Sequence, residues 1–90
     1  MLRSLIICPD AGLARQLEDA VTITSEVSVS RTFDKYPAAL DLSRTLRAHA
    51  PEIVFISFEV PEKAHELTKF IEQEYARFGQ AISIAKLKVE

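Results

Sequence analysis

Four short apolar runs alternate with three longer stretches of helical periodicity along this chain of 90 residues. The first run, LIIC at residues 5–8, and the third, IVFI at residues 53–56, are continuous, which is typical of strands buried on both faces of a parallel sheet. They predict a first strand over residues 2–8 and a third strand over residues 53–57, the latter between Pro51 and Pro61. The second run, around residues 27–32, alternates apolar and polar positions, as an edge strand with one less buried face does. The fourth, residues 81–87, is also predicted as a strand.

Three helices are predicted between these strands. Residues 11–20 place Leu13 and Leu17 at helical spacing, with Asp10 ahead of them as a suitable N-cap. The second helix is expected over residues 37–48, with Pro37 at its first position and Pro51 beyond its end. The third, over residues 62–78, carries the longest apolar stripe: Ala64, Leu67, Phe70, Ile71, Tyr75 and Phe78. Strict alternation of strand and helix predicts right-handed crossovers, hence an α/β fold with a parallel sheet between helical layers.

Composition limits the classes of function. Residues 1–90 allow one small domain, and a net charge of −2 with a pI near 5.7 gives no electrostatic basis for nucleic-acid binding. No apolar run approaches the roughly 20 residues of a membrane span, so no membrane association is expected. The chain has a single cysteine, Cys8, which excludes an internal disulfide and fits a cytoplasmic location. Because Cys8 lies in an apolar strand, we expect an inert thiol in the core.

Three polar residues lie at or just beyond the carboxyl ends of predicted strands, which is where open α/β sheets bind ligands. Ser57 is either a nucleophile or phosphorylation site, or a small polar residue bonded to the local backbone; the second is favoured because no base is predicted beside it. Asp10 is more readily an N-cap than a metal ligand, and Glu59 is more readily solvated than joined to Asp10 around a cation. His49 and His65 stand apart without metal-ligand spacing. We therefore expect no enzyme, no metal and no cofactor.

The segments LIICPD (residues 5–10) and HAPEIVFISFEVPE (residues 49–62) resemble the first strand and the phosphoacceptor region of response-regulator receiver domains, the CheY-like family. The resemblance covers almost the whole chain and implies a flavodoxin-like, three-layer αβα fold with strand order 2-1-3-4. The family's phosphoacceptor aspartate falls on Ser57, and the first of its two metal-binding acids falls on Pro9, leaving Asp10 as the second. The resemblance therefore implies an atypical receiver that is not phosphorylated, with Asp10 and Glu59 as a remnant acidic pocket.

Pseudo-receivers of this kind stand at the N-terminus of pilus-assembly and localisation ATPases of the TadZ/CpaE type, so we expect the chain to be the N-terminal part of a longer protein. The resemblance places the fourth strand at an exposed sheet edge, and apolar edges are pairing sites. The domain is then a fragment, is completed by a second copy, or has its last strand displaced or swapped. The candidate dimer edge comprises Ala81, Ile82, Ser83, Ile84 and Ala85.

Two functions from different classes are consistent with these patterns. The first is a non-catalytic, receiver-like domain for protein interaction and dimerisation in bacterial signalling or protein localisation, with a protein partner and a homodimer expected. The alternative is a flavodoxin-like module that binds a small molecule or nucleotide at the loops holding Asp10, Ser57 and Pro61, although these loops lack glycine. An enzyme with Ser57 as nucleophile ranks last, because no base accompanies it.

Overall fold

A parallel sheet of four strands in the order β2-β1-β3-β4 forms the centre of the computed structural model, which describes residues 2–87. The elements along the chain are β1 (Leu2–Ile7), α1 (Ala11–Thr24), β2 (Val27–Phe33), α2 (Ala39–His49), β3 (Ile53–Ser57), α3 (Pro61–Arg77) and β4 (Ser83–Leu87). The α/β class, the parallel pairing and the strand order 2-1-3-4 predicted from the sequence are confirmed, and the arrangement is consistent with a flavodoxin-like fold.

The two central strands bury side chains on both faces, because successive residues of a strand point to opposite sides. On one face, Leu5 and Ile7 of β1 join the neighbouring β3 side chains against α2 and α3. On the other face, Ile6 and Cys8 pack with Ala14 of α1. The continuous apolar runs of β1 and β3 thus produce the predicted helix–sheet–helix layers.

The face toward α1 is covered less completely than the face toward α2 and α3. Ile53 and Phe55 on β3, and Ala85 and Leu87 on β4, lie on this side by strand register and stay partly exposed. One helix packs on this face and two pack on the other, so the β3–β4 half of the α1 side remains open.

Two helices differ in length from the prediction. The first helix continues to Thr24 instead of ending at residue 20; the Thr22 hydroxyl donates to the Glu18 carbonyl at 2.7 Å, and Ser25 closes the helix with a φ of 56°. The second begins at Ala39, so the expected helical position of Pro37 is wrong: Pro37 is buried in the preceding loop. No helix within residues 2–87 combines the length and apolar character that a bilayer span requires.

The stripe predicted for the third helix ends earlier in the structure. The helix runs Pro61–Arg77, and Phe78 lies beyond it with 50 % of its surface exposed, so Phe78 is not part of the core. The Arg47 guanidinium lies 5.9 Å from the centre of the Phe78 ring and covers part of it. Tyr75, by contrast, is buried as predicted.

Strand boundaries differ by one or two residues. The fourth strand begins at Ser83, so Ala81 and Ile82, which were expected to lie within it, precede it. The first strand ends at Ile7, although the Cys8 N–H still donates to the Phe33 carbonyl of β2 at 3.0 Å.

Candidate functional site

Ser57 ends β3 and is fully buried, with its side chain turned into its own loop. Its hydroxyl oxygen accepts a hydrogen bond from the Glu59 N–H at 3.3 Å. A nucleophile requires an accessible oxygen and a base within hydrogen-bond reach. The Ser57 hydroxyl has neither among the contacts of the described residues, and its geometry is that of a local backbone bond.

Asp10 occupies the N-cap of α1, where one carboxylate oxygen accepts from the Leu13 N–H at 3.1 Å. Glu59 is exposed, and within the part of the chain that the structure describes no hydrogen bond links it to Asp10. Residues 2–87 contain no group of three or more His, Cys, Asp or Glu side chains arranged to hold a metal ion. The two acids predicted as a remnant pocket therefore both lie near the carboxyl ends of the central strands, but they do not form a ligand cluster.

Tyr36 connects the β2–α2 loop to the β3–α3 loop at this end of the sheet, a role that the sequence did not reveal. From the β2–α2 loop its hydroxyl donates to the Ser57 carbonyl at 2.7 Å and accepts from the Val60 N–H at 3.1 Å. Both ends of the turn between β3 and α3 are thus fixed by one phenol oxygen. The only sequence signal is an aromatic residue just before Pro37, which is too weak to predict such a contact.

A cleft of about 400 Å³ opens between these loops, lined by Pro9, Lys35, Tyr36, Glu59, Val60 and Lys63. The loops after β1 and β3 lead into helices on opposite faces of the sheet, so the chain reverses direction across the sheet between these two strands. At such topological switch points α/β sheets bind ligands. Two lysines and one glutamate leave the lining with a net charge of +1, against −2 for the whole chain. Within residues 2–87 neither lysine forms an ion pair.

Cys8 and Tyr75 are the other reactive groups buried near strand ends, and both have structural roles. The Cys8 thiol is fully buried and donates to the Asp10 carbonyl at 3.4 Å. At the amino end of β3 the Tyr75 hydroxyl donates to the Pro51 carbonyl at 2.6 Å. Burial raises the pKa of the Tyr75 hydroxyl above its ordinary value of 10.0, and the Glu52 carboxylate raises this pKa further. The Arg3 guanidinium lowers it and so opposes both effects.

The predicted dimer edge corresponds to β4 and the two residues before it. Ala81 and Ser83 are exposed, and Ile82, Ile84 and Ala85 are partly buried. In the described sheet β4 pairs only with β3, so one side of this strand has no neighbouring strand.

Comparisons with protein-family models, with curated proteins and with solved structures find no match to this chain.

Proposed function

We propose that this chain is a receiver-like protein-interaction domain that does not undergo phosphoryl transfer. The observation that carries the proposal is the state of Ser57, which stands where the resemblance places the phosphoacceptor. Its side chain is fully buried, and its oxygen is engaged by the Glu59 N–H. A group that is enclosed and bonded within its own turn supports the structure of that turn and is poorly placed to accept a phosphoryl group.

The surrounding charges support the same proposal. Phosphoryl transfer to a receiver needs a carboxylate acceptor and a divalent cation held by clustered oxygen ligands, because the incoming group carries negative charge that must be offset. Here Asp10 is engaged as a helix cap and Pro9 supplies no ligand at the neighbouring position. One remaining acid at this position gives Mg²⁺ too few ligands.

The domain then acts through its surfaces, in bacterial signalling or protein localisation in the cytoplasm. The open side of β4 and the partly exposed residues on the α1 face provide main-chain groups and apolar area for a protein partner. The partner class includes a second copy of the chain.

The test is intact-mass measurement after incubation with acetyl phosphate and Mg²⁺, with a phosphorylatable receiver domain as positive control. We expect the mass of this chain to stay unchanged while the control gains a phosphoryl group. A phosphoryl adduct that forms on the native chain and is lost in Ser57→Ala would overturn the proposal.

A second candidate function, a small-molecule or nucleotide-binding module, is favoured by the cleft at the β1–β3 switch point. Thermal unfolding in the presence of nucleotides and flavin mononucleotide tests it, using Lys63→Ala to remove a cleft charge. Lys69→Ala is the matched control, since Lys69 is exposed on the same helix and does not line the cleft. A rise in Tm that Lys63→Ala abolishes and Lys69→Ala retains would favour this module; no rise with any ligand would count against it.

A further inference from the structure

The two edges of the described sheet differ in how far they are protected against pairing. At β2 the register shifts between Ser4 and Leu5 of β1, which leaves Ser30 as an extra, bulged residue. Arg31 follows it, and its guanidinium lies 4.3 Å from the Phe33 ring centre and donates to the Thr45 hydroxyl of α2. A bulge bends and twists its strand and so blunts a sheet edge. The bulge at Ser30 therefore protects the β2 edge.

The β4 edge has no such bulge. Its five residues, Ser83–Leu87, pair with β3 in continuous register, and Lys86 is the only charged residue among them. The Lys86 ammonium lies 5.7 Å from the centre of the Phe58 ring. That contact holds the charge over one face of the sheet, so it does not shield the main-chain groups along the edge.

The direction of those main-chain groups follows from the bonds to β3. The Ser83 N–H donates to the Glu52 carbonyl at 3.0 Å, and the Leu87 carbonyl accepts from the Phe58 N–H at 2.8 Å. Main-chain groups of alternate residues in a strand point to opposite sides. The N–H and C=O groups of Ile84 and Lys86 consequently point away from β3, toward the open edge.

We propose that β4 pairs antiparallel with β4 of a second copy, joining the two sheets across a two-fold axis. The inference rests on the proposed interaction function and names its partner. A closed two-fold contact uses the same patch on both copies, which for a sheet edge requires antiparallel strands. Such an edge complements itself, because each outward N–H and C=O pair of one copy faces an equivalent pair of the other.

Overlap and charge select the register. With Ala85 on the axis all five residues of β4 overlap, and the outward groups of Ile84 bond to those of Lys86 in the second copy. Each ammonium then lies opposite an isoleucine. A register with Lys86 on the axis would place two like charges directly opposite each other, which destabilises a strand pair.

The side chains at the axis also favour a second copy as the occupant. Ala85 meets Ala85 of the other copy on the α1 face, where no charged side chain of β4 lies. Its small methyl group permits the close approach of a non-hydrogen-bonded pair, in which the Cα atoms lie about 4.5 Å apart. The partly exposed Leu87 of each copy then lies beside Ser83 of the other.

Cysteine cross-linking tests this register directly. In a Cys8→Ala background, Ala85→Cys is expected to form a disulfide-linked dimer under mild oxidation, because the expected Cα separation lies within the range that a disulfide spans. Ser83→Cys is the matched control on the same face. It lies opposite Leu87 of the second copy and is expected to stay monomeric on a non-reducing gel. Preferential linking through Ser83→Cys, Ile84→Cys or Lys86→Cys would overturn the register.

A proline substitution tests the hydrogen bonds separately from the side chain. Lys86→Pro removes an outward N–H that takes no part in pairing with β3, whereas Lys86→Ala removes the same side chain and keeps that N–H. The dissociation constant of the Lys86→Pro dimer should be at least about tenfold higher than that of the Lys86→Ala dimer, because two hydrogen bonds are lost, one from each copy. Circular dichroism of both variants shows whether the monomer remains folded.

The outcomes separate this inference from the proposed function. A native dimer that neither links through Ala85→Cys nor weakens in Lys86→Pro would overturn pairing at β4 and leave an interaction domain with another interface. A native chain that stays monomeric would overturn the second-copy partner. Failure of the proposed function itself would appear independently, as a phosphoryl adduct lost in Ser57→Ala.

Discussion

The Tyr36 hydroxyl is the contact whose removal probes the candidate site most cleanly. Tyr36→Phe deletes one oxygen and leaves the ring in place, so the cleft wall keeps its shape. Two hydrogen bonds are lost: the 2.7 Å bond to the Ser57 carbonyl and the 3.1 Å bond from the Val60 N–H. These two losses differ in their expected effect because the two partners differ in exposure.

The Val60 end of this contact is exposed, and water can replace the phenol there at little expense. Ser57 is fully buried, so its carbonyl loses a partner in a place that water reaches poorly. An unsatisfied buried acceptor costs about 1–3 kcal/mol, and we expect Tyr36→Phe to lower the free energy of unfolding by about that amount. Most of the loss should come from the Ser57 end.

Urea unfolding followed by far-ultraviolet circular dichroism measures the change, since the chain contains no tryptophan. The denaturant slope should match that of the native chain, because the surface exposed on unfolding barely changes. Amide hydrogen exchange supplies a local readout, in which the Val60 N–H should exchange faster in Tyr36→Phe. A stability change below about 0.5 kcal/mol, a net effect smaller than one typical hydrogen bond, together with unchanged exchange at Val60, would refute the bridging role.

Three further predictions concern helix ends and pH. Asp10→Ala should lower the free energy of unfolding by about 0.5–2 kcal/mol and Asp10→Asn by much less, because asparagine also caps a helix; equal losses in a urea titration would contradict the capping role. Ala50→Gly should raise the same free energy by about 0.5–1 kcal/mol, because Ala50 closes α2 with a φ of 45° that glycine adopts without strain; Ala48→Gly, within the helix, should lower it. Because the pKa of Tyr75 is raised on folding, the unfolded chain loses this proton first, so its stabilising contribution is present below pH 10.0 and is lost as the pH rises above that value. The difference in unfolding free energy between the native chain and Tyr75→Phe should therefore shrink above that pH, and a constant difference would argue against a raised pKa.

The layers and strand order were predictable because the two central strands carry continuous apolar runs. Ile53–Ser57 was placed correctly from the run IVFI and the flanking prolines, since a strand covered on both faces tolerates few polar residues. The helix ends were less predictable. Thr22 and Thr24 look like connecting residues, yet both lie in the last turn of α1, where their hydroxyls bond back to helical carbonyls.

The candidate site was predictable only where one residue acts on its own neighbours. The capping role of Asp10 followed from its position before a helix, and the structure bears it out. The cleft depends on Lys35 and Tyr36 from the β2–α2 loop and on Lys63 from α3, which meet only after the sheet forms. No local pattern contains that information. The prediction for Phe78 was wrong because it relied on local pattern alone. Helical spacing suggested burial, but the helix ends before Phe78 and leaves it half exposed.

The central claim, that this domain works by associating with a protein partner which can be a second copy, is tested most directly by sedimentation equilibrium of the native chain over a range of concentrations. We expect a reversible shift from 10.1 kDa toward twice that mass as the concentration rises. In Lys86→Pro this shift should need a concentration at least about tenfold higher than in Lys86→Ala. A mass of 10.1 kDa at every concentration would contradict self-association through β4.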